Sequence, residues 1–247
     1  MDTRLLGART MNGLKNATKS ALSRFNLTIT RTKPDPACTL GWIAEAQEDG
    51  MAVNDFIEKD HRKPALTELE TLVLPRISPA SIVCELGPGT GVYTRYINEY
   101  ITAGEFHVVD SDANAIDFLG RHLPKNPRTR LYLNSGTALP LESEGRVDLA
   151  FCASMFTGGN LSYFFRYVQE FSRVLKAGGY LVFDYFDIST EAGWDVLTKN
   201  MARKQPIFAY TYHSTETVDK IVDLLGFKVV DRYPTVRGSV FVTAQKI

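Results

Sequence analysis

Three cysteines in 247 residues, Cys38, Cys84 and Cys152, are too few and odd in number for a disulfide framework. Two of them fall inside apolar runs, where a thiol reads as a small buried hydrophobe, so a reducing, cytoplasmic setting is expected. Net charge is also lacking, because 28 basic residues balance 28 acidic ones. That removes the bulk electrostatic argument for a nucleic-acid partner. No apolar run approaches the length of a membrane span, and residues 1–20 carry no apolar secretory core. Repeats and low-complexity tracts are missing too. Histidine is scarce, with four in the chain, which shortens the list of candidate general bases.

What is present centres on Ile82-Val83-Cys84-Glu85-Leu86-Gly87-Pro88-Gly89-Thr90-Gly91, a short apolar strand ending in an acid and running into alternating glycines. Glycine lets a ligand approach bare backbone, and the helix expected from Val92 onward would turn its first amides toward the same ligand. A dinucleotide fingerprint would need glycine where Val92 stands, and a phosphate-cradling loop would need a Gly-Lys-Ser/Thr ending. Neither is there, so the turn suits a different polar cofactor. A second strand, Glu105 to Asp110, also ends in an acid that can accept both hydroxyls of a ribose. The alternative role for Asp110 is capping a helix over Ala113 to His122, a task Ser111 or Asp112 can perform instead.

Val147 to Cys152 reads as a buried strand and Tyr163 to Leu175 as a helix with apolar residues on one face. The helix is predicted to end in Arg173-Val174-Leu175-Lys176-Ala177-Gly178-Gly179 with glycines at its C-terminal cap, before a strand over Tyr180 to Tyr185. With these pieces in place the chain resembles the class I S-adenosylmethionine-dependent methyltransferases. The matching residues are Glu85 to Gly91, Asp110, Val147-Asp148-Leu149 and Arg173 to Val182, spanning about residues 80–187. A helix over Ser214 to Leu225 and strands over Gly226 to Val230 and Gly238 to Gln245 extend the likeness.

The resemblance implies an α/β, Rossmann-like, doubly wound sheet of seven mostly parallel strands, the last antiparallel, with an N-terminal helical extension. The domains expected are a basic amphipathic leader at 1–33, a helical cap at 34–79 and the methyltransferase domain at 80–247. In the cap, short helices are predicted at Leu40 to Glu48 and Ala52 to Glu58, followed by one after Pro64 burying Leu66, Leu69, Val73 and Ile77. S-adenosylmethionine is the implied cofactor, bound by Glu85, Gly87, Pro88, Gly89, Thr90, Gly91, Asp110, Ser111, Gly136, Thr137 and Cys152. One departure stands out: many relatives carry an acid after the third strand to hold the adenine, where this chain has Asn134-Ser135-Gly136-Thr137.

Methyl transfer is an in-line displacement that gains rate from alignment and exclusion of water. A hydroxyl acceptor would be helped by a base, and the candidates are His213, Asp187 and His61, with no base at all as the alternative. Trp194, Phe208, Tyr210 and Tyr212 are placed either in the wall of an acceptor pocket or in a satellite core. The chain has no Asp/Asn-Pro-Pro-Tyr/Phe after its fourth strand, no Pro-Cys nucleophile and no evident acid set for a divalent metal. These absences leave a small-molecule, glycan or lipid-linked acceptor, and the resemblance, by the frequency of acceptors in the family alone, implies O-methylation. The other reading is an S-adenosylmethionine-binding partner or regulator without turnover. The leader carries seven cations between Arg4 and Lys33 against Asp2 alone. With Leu14, Ala17, Ala21, Leu22 and Phe25 at helical spacing, it is expected to give weak peripheral contact with anionic lipid; docking on the rest of the chain, a frayed tail or a transit peptide are the alternatives.

Overall fold

The computed structural model describes residues 39–60, 64–135, 138–142, 144–204 and 206–247. The leader at 1–33, His61, Gly136 and Thr137 lie outside the described residues. Three short helices come first: α1 (Thr39–Glu48), α2 (Val53–Asp60) and α3 (Ala65–Leu72). Pro64 precedes α3 as expected, but the helix ends before Pro75 in a short 3-10 turn over Leu74–Arg76, since proline lacks the amide that would continue the ladder. Its buried face is therefore Ala65, Leu69 and Leu72, followed by Val73, while Leu66 is exposed and Ile77 lies beyond the helix.

The sheet then alternates with helices: β1 (Ile82–Leu86), α4 (Thr94–Tyr100), β2 (Glu105–Asp110), α5 (Ala113–His122), β3 (Thr129–Leu133) and β4 (Val147–Cys152). The second half holds α6 (Leu161–Val174), β5 (Leu175–Asp187), α7 (Glu191–Met201), β6 (Tyr212–His213), α8 (Thr215–Leu224), β7 (Phe227–Pro234) and β8 (Ser239–Lys246). Strand order is β3-β2-β1-β4-β5-β8-β7, with β8 antiparallel to both neighbours. The sheet has eight strands rather than seven, because the two-residue β6 pairs with the end of β5 through Phe186↔Tyr212 and Asp187↔His213.

Both faces are covered, and the strands alternate between two cores. From β1, Cys84 and Leu86 face Phe164, Tyr167, Val168 and Phe171 of α6 together with Val218 and Val222 of α8. Val83 faces the opposite way, toward Leu69 of α3, Ile97 of α4 and Leu119 of α5. Fully burying each of these large side chains contributes about 1.5–3 kcal/mol. The cap helices share this second core with the sheet, which fixes their distance from the carboxyl ends of the strands.

One element differs at its boundary. The helix α6 stops at Val174, and Leu175 is already extended (φ −70, ψ 140) and paired with Val147. Gly178 and Gly179 do not cap the helix; they lie inside β5, where the register shifts between Val147 and Leu149. A Cβ at Gly179 would stand 3.1 Å from the Asp148 carbonyl oxygen, so the glycine serves a close strand approach.

Candidate functional site

The chain order reverses between β1 and β4, which opens a crevice at the carboxyl ends of those two strands. The Gly87–Gly91 turn leaves β1 there, and Ala153-Ser154-Met155 leaves β4 beside it. Gly87 and Gly89 both take left-handed backbone, with φ +72 and +55. A Cβ at Gly87 would collide with the Met155 sulfur at 2.1 Å, whereas one at Gly89 would meet nothing within 4 Å. The turn is thus packed on one side and faces space on the other. That space is a cavity of about 240 Å³ walled by Gly87, Pro88, Gly89, Thr90, Asp110, Asp112 and Ala153 to Met155. Trp42 of α1 and Ile57 of α2 close it from above.

Asp110 ends β2 with its carboxylate fixed by backbone: Gly89 N–H donates to Oδ2 at 3.4 Å and Asp112 N–H to Oδ1 at 2.9 Å. Asp112, not Asp110, caps α5 by accepting from Asn114 N–H. Burial pushes the Asp110 carboxyl above its ordinary range, with the amides of Asp112 and Gly89 opposing. Glu85 lies deeper, 2% exposed, and its Oε2 is buried without a hydrogen-bond partner. Desolvation pushes its pKa up to about 8, against the nearby Thr94 hydroxyl and with the Asp110 charge adding to the rise.

A larger cavity of about 700 Å³ adjoins this one, sharing Trp42 and Ser154 with it. Phe186, Val196, Ile207, Ala209 and Tyr210 supply apolar wall, and Thr157, Lys199, Asn200, Arg203 and Arg237 supply polar groups. Ser154 stands at the seam in left-handed backbone, φ 62, which no other non-glycine residue among those described adopts. Its N–H donates to the buried Asp184 Oδ1 at 2.5 Å, and its Oγ accepts from Arg237 Nη1 at 3.1 Å. A strained backbone held by the buried Asp184 and by Arg237 is the kind of feature that functional sites retain.

Residues 84–183 match the methyltransferase domain family. Solved structures with the same fold include magnesium protoporphyrin IX methyltransferase from Synechocystis PCC 6803 with bound S-adenosylhomocysteine, at 15% identity and a TM-score of 0.65 over 84% of this chain and 94% of that one. Over these residues the chain carries a methyltransferase domain, and its fold is shared with S-adenosylmethionine-dependent methyltransferases. A methyltransferase from Haloferax volcanii in complex with the Trm112 methyltransferase activator is similar at 15% identity and a TM-score of 0.63, over 84% of this chain and 97% of that one. One from Aquifex aeolicus is similar at 19% identity and 0.54, over 76% and 96%. At these identities the likeness is one of fold. No curated protein matches the sequence significantly.

The smaller cavity fits S-adenosylmethionine, the cofactor that the resemblance implies. A fixed carboxylate on β2 and a glycine with clear space before it are suited to the hydroxyls and the close approach of an adenosyl amino acid. Of the residues expected to bind the cofactor, Gly87, Pro88, Gly89, Thr90 and Asp110 stand in the wall of this cavity. Glu85 and Gly91 lie outside the wall itself. Two expected residues are displaced. Ser111 is exposed, and Asp112 takes its place in the wall. Cys152 is fully buried in the α6-side core with its thiol pushed well up by desolvation, and the lining passes to the three residues after it.

The expected bases of this methyltransferase fare differently. His213 lies on β6 with its ring stacked on Phe164 at 6.0 Å, and it lines neither cavity. Burial lowers its pKa, with the Gly159 backbone opposing. Asp187 is 2% exposed and structural in its contacts. Its carboxylate accepts from the Tyr185 hydroxyl at 3.1 Å, Ser189 N–H at 2.9 Å, and both Thr215 N–H at 3.1 Å and Thr215 Oγ1 at 2.5 Å. Desolvation would raise its pKa, but the bonds from Thr215, Ser189 and Tyr185 prevail and hold it below the usual carboxylate range. Of the four expected aromatics, Tyr210 is in the wall and Tyr212 stacks on Phe186 at 5.6 Å. Trp194 and Phe208, 52% and 83% exposed, belong to neither wall nor core. Trp42, Ser154 and Arg237, by contrast, carry no sequence pattern that announces a site.

Proposed function

We propose that this methyltransferase transfers the sulfonium methyl of S-adenosylmethionine to an oxygen of a small-molecule acceptor with an apolar body. The observation that carries the reading is the cavity of about 700 Å³ next to the cofactor cavity, joined to it along Trp42 and Ser154. A protein kept only for binding the cofactor needs no second chamber, and side chains would be expected to fill it. The walls suit a small apolar acceptor better than a glycan, since Phe186, Val196, Ile207 and Tyr210 offer rings and branched carbons. No helix among the described residues is long and apolar enough to cross a membrane. A lipid-linked acceptor and peripheral lipid contact through residues 1–33 remain proposals, and the leader lies outside the described residues.

The test is release of S-adenosylhomocysteine across a panel of phenols, organic acids, sugars and lipid-linked glycans, beside calorimetry of S-adenosylhomocysteine binding. Acceptor-dependent release from a small apolar member is expected, and loss of both release and binding in Gly89→Val. Tight binding with no release from any acceptor would favour the regulatory reading instead.

A further inference from the structure

The charged residues in the wall of the larger cavity are Lys199, Arg203 and Arg237, all cationic, and no aspartate, glutamate or histidine among the described residues joins them. Lys199 pairs with Asp195 at the exposed rim. Arg237 is different, because its side chain is 18% exposed and sits at the seam. Its Nη1 donates to Ser154 Oγ, while Nε and Nη2 are buried with no hydrogen-bond partner. Asp184 and Glu68 stand behind it at 3.8 and 3.9 Å, beyond hydrogen-bond distance. Burial opposes its charge, but Asp184, Tyr93 and Glu68 outweigh that and keep the guanidinium ionised. Guanidinium nitrogens that are buried and make ion-pair contacts but no hydrogen bond gain from an acceptor oxygen that completes them.

A hydroxyl or ammonium nucleophile must lose a proton, and neither an imidazole nor a carboxylate lines this cavity to receive it. His213 and Asp187 are engaged elsewhere. A carboxylate is ionised at neutral pH, arrives with its lone pair available, and can accept directly from a guanidinium donor in the wall. We infer that the acceptor is an organic acid with an apolar body, methylated on a carboxylate oxygen to its methyl ester, and that Arg237 is the residue that binds the carboxylate. The inference rests on the methyltransferase reading above. A carboxylate lone pair forms the O–CH3 bond, the pair of the breaking S–CH3 bond returns to sulfur, and the opposite charges of donor and acceptor cancel. No proton is released and no base is required.

The experiment uses the full chain and three skeletons, naphthalene, phenylalkyl and medium-chain alkyl, each supplied as acid, alcohol (or phenol) and amine. Labelled methyl is followed into product, and mild base separates esters, which release methanol, from ethers and amines, which do not. Base-labile product from the acids is expected. In Arg237→Gln the KM for the acid should rise roughly thirtyfold or more with cofactor affinity unchanged, as for loss of a buried charge partner. A binding readout stands beside activity: with 15N-arginine protein and S-adenosylhomocysteine, the Arg237 side-chain resonance, identified by its absence in Arg237→Lys, should move with naphthalene-2-carboxylate and stay in place with the carboxamide. Base-stable product from an alcohol or amine, or equal movement with acid and amide, would overturn the inference while leaving methyl transfer intact. Cofactor binding without transfer to any compound would remove the methyltransferase reading and this inference with it.

Discussion

Asp110 and Gly89 form one unit: the glycine N–H donates to the Asp110 carboxylate at 3.4 Å, tying the end of β2 to the turn that leaves β1. The acid expected to hold a ribose therefore also steadies the loop expected to lie along the rest of the ligand. Damage at either residue should be felt by both.

Gly89→Val forces a branched side chain into left-handed backbone, which costs about 1–2 kcal/mol, and places it in the cofactor cavity. Asp110→Ala removes an ionised acceptor whose hydrogen bonds contribute about 1.5–3 kcal/mol each. Calorimetry with S-adenosylhomocysteine should show both variants at least roughly tenfold weaker while circular dichroism stays unchanged. Wild-type affinity in both would refute the placement of the cofactor.

Glu85 predicts a pH dependence of stability. Its folded pKa of about 8 lies above the ordinary 4.5, so between those values the folded protein keeps a proton that the unfolded chain has released. Stability without ligand should be fully present below about 4.5 and decline as pH rises toward 8. Glu85→Gln cannot titrate and should flatten that decline. Thermal midpoints measured across the window would expose the idea as wrong if the two proteins ran parallel.

His213→Phe keeps a ring against Phe164 and removes the imidazole. Turnover within roughly threefold of wild type is expected, since a general base contributes on the order of a hundredfold or more. A hundredfold fall in kcat with an unchanged unfolding midpoint would restore His213 as the base.

Asp187→Ala should act on stability rather than on catalysis. The carboxylate joins the end of β5 to the start of α8 through Thr215, and removing it strands several buried donors. Urea unfolding should show a loss of about 2–4 kcal/mol, with cofactor affinity retained. A stable variant that no longer turns over would argue for a direct role.

The cofactor side was largely legible in the sequence. The strands Ile82–Leu86, Glu105–Asp110 and Val147–Cys152 are short apolar runs, as buried parallel strands must be, and the turn after the first requires glycine. The larger chamber was scarcely legible beyond Tyr210. Phe186, Val196, Ile207 and Arg237 come from four separate segments with no shared period, and Arg237 beside Gly238 reads as an ordinary hairpin turn. Only the antiparallel return of β8 along β5 brings that turn to Asp184. His213 follows the fifth strand as expected, and its pairing with Asp187 sets its ring against Phe164 rather than in the wall of either cavity.

Among the described residues, Trp42 and Ser154 are the only ones common to both chambers. Substitutions at Val196 or Lys199 of α7 can therefore reshape the larger chamber without reaching the wall of the smaller one. Descendants of one such enzyme could diverge in acceptor while inheriting the donor half intact, with Ser154 as the fixed joint between a conservative half and an adaptable one.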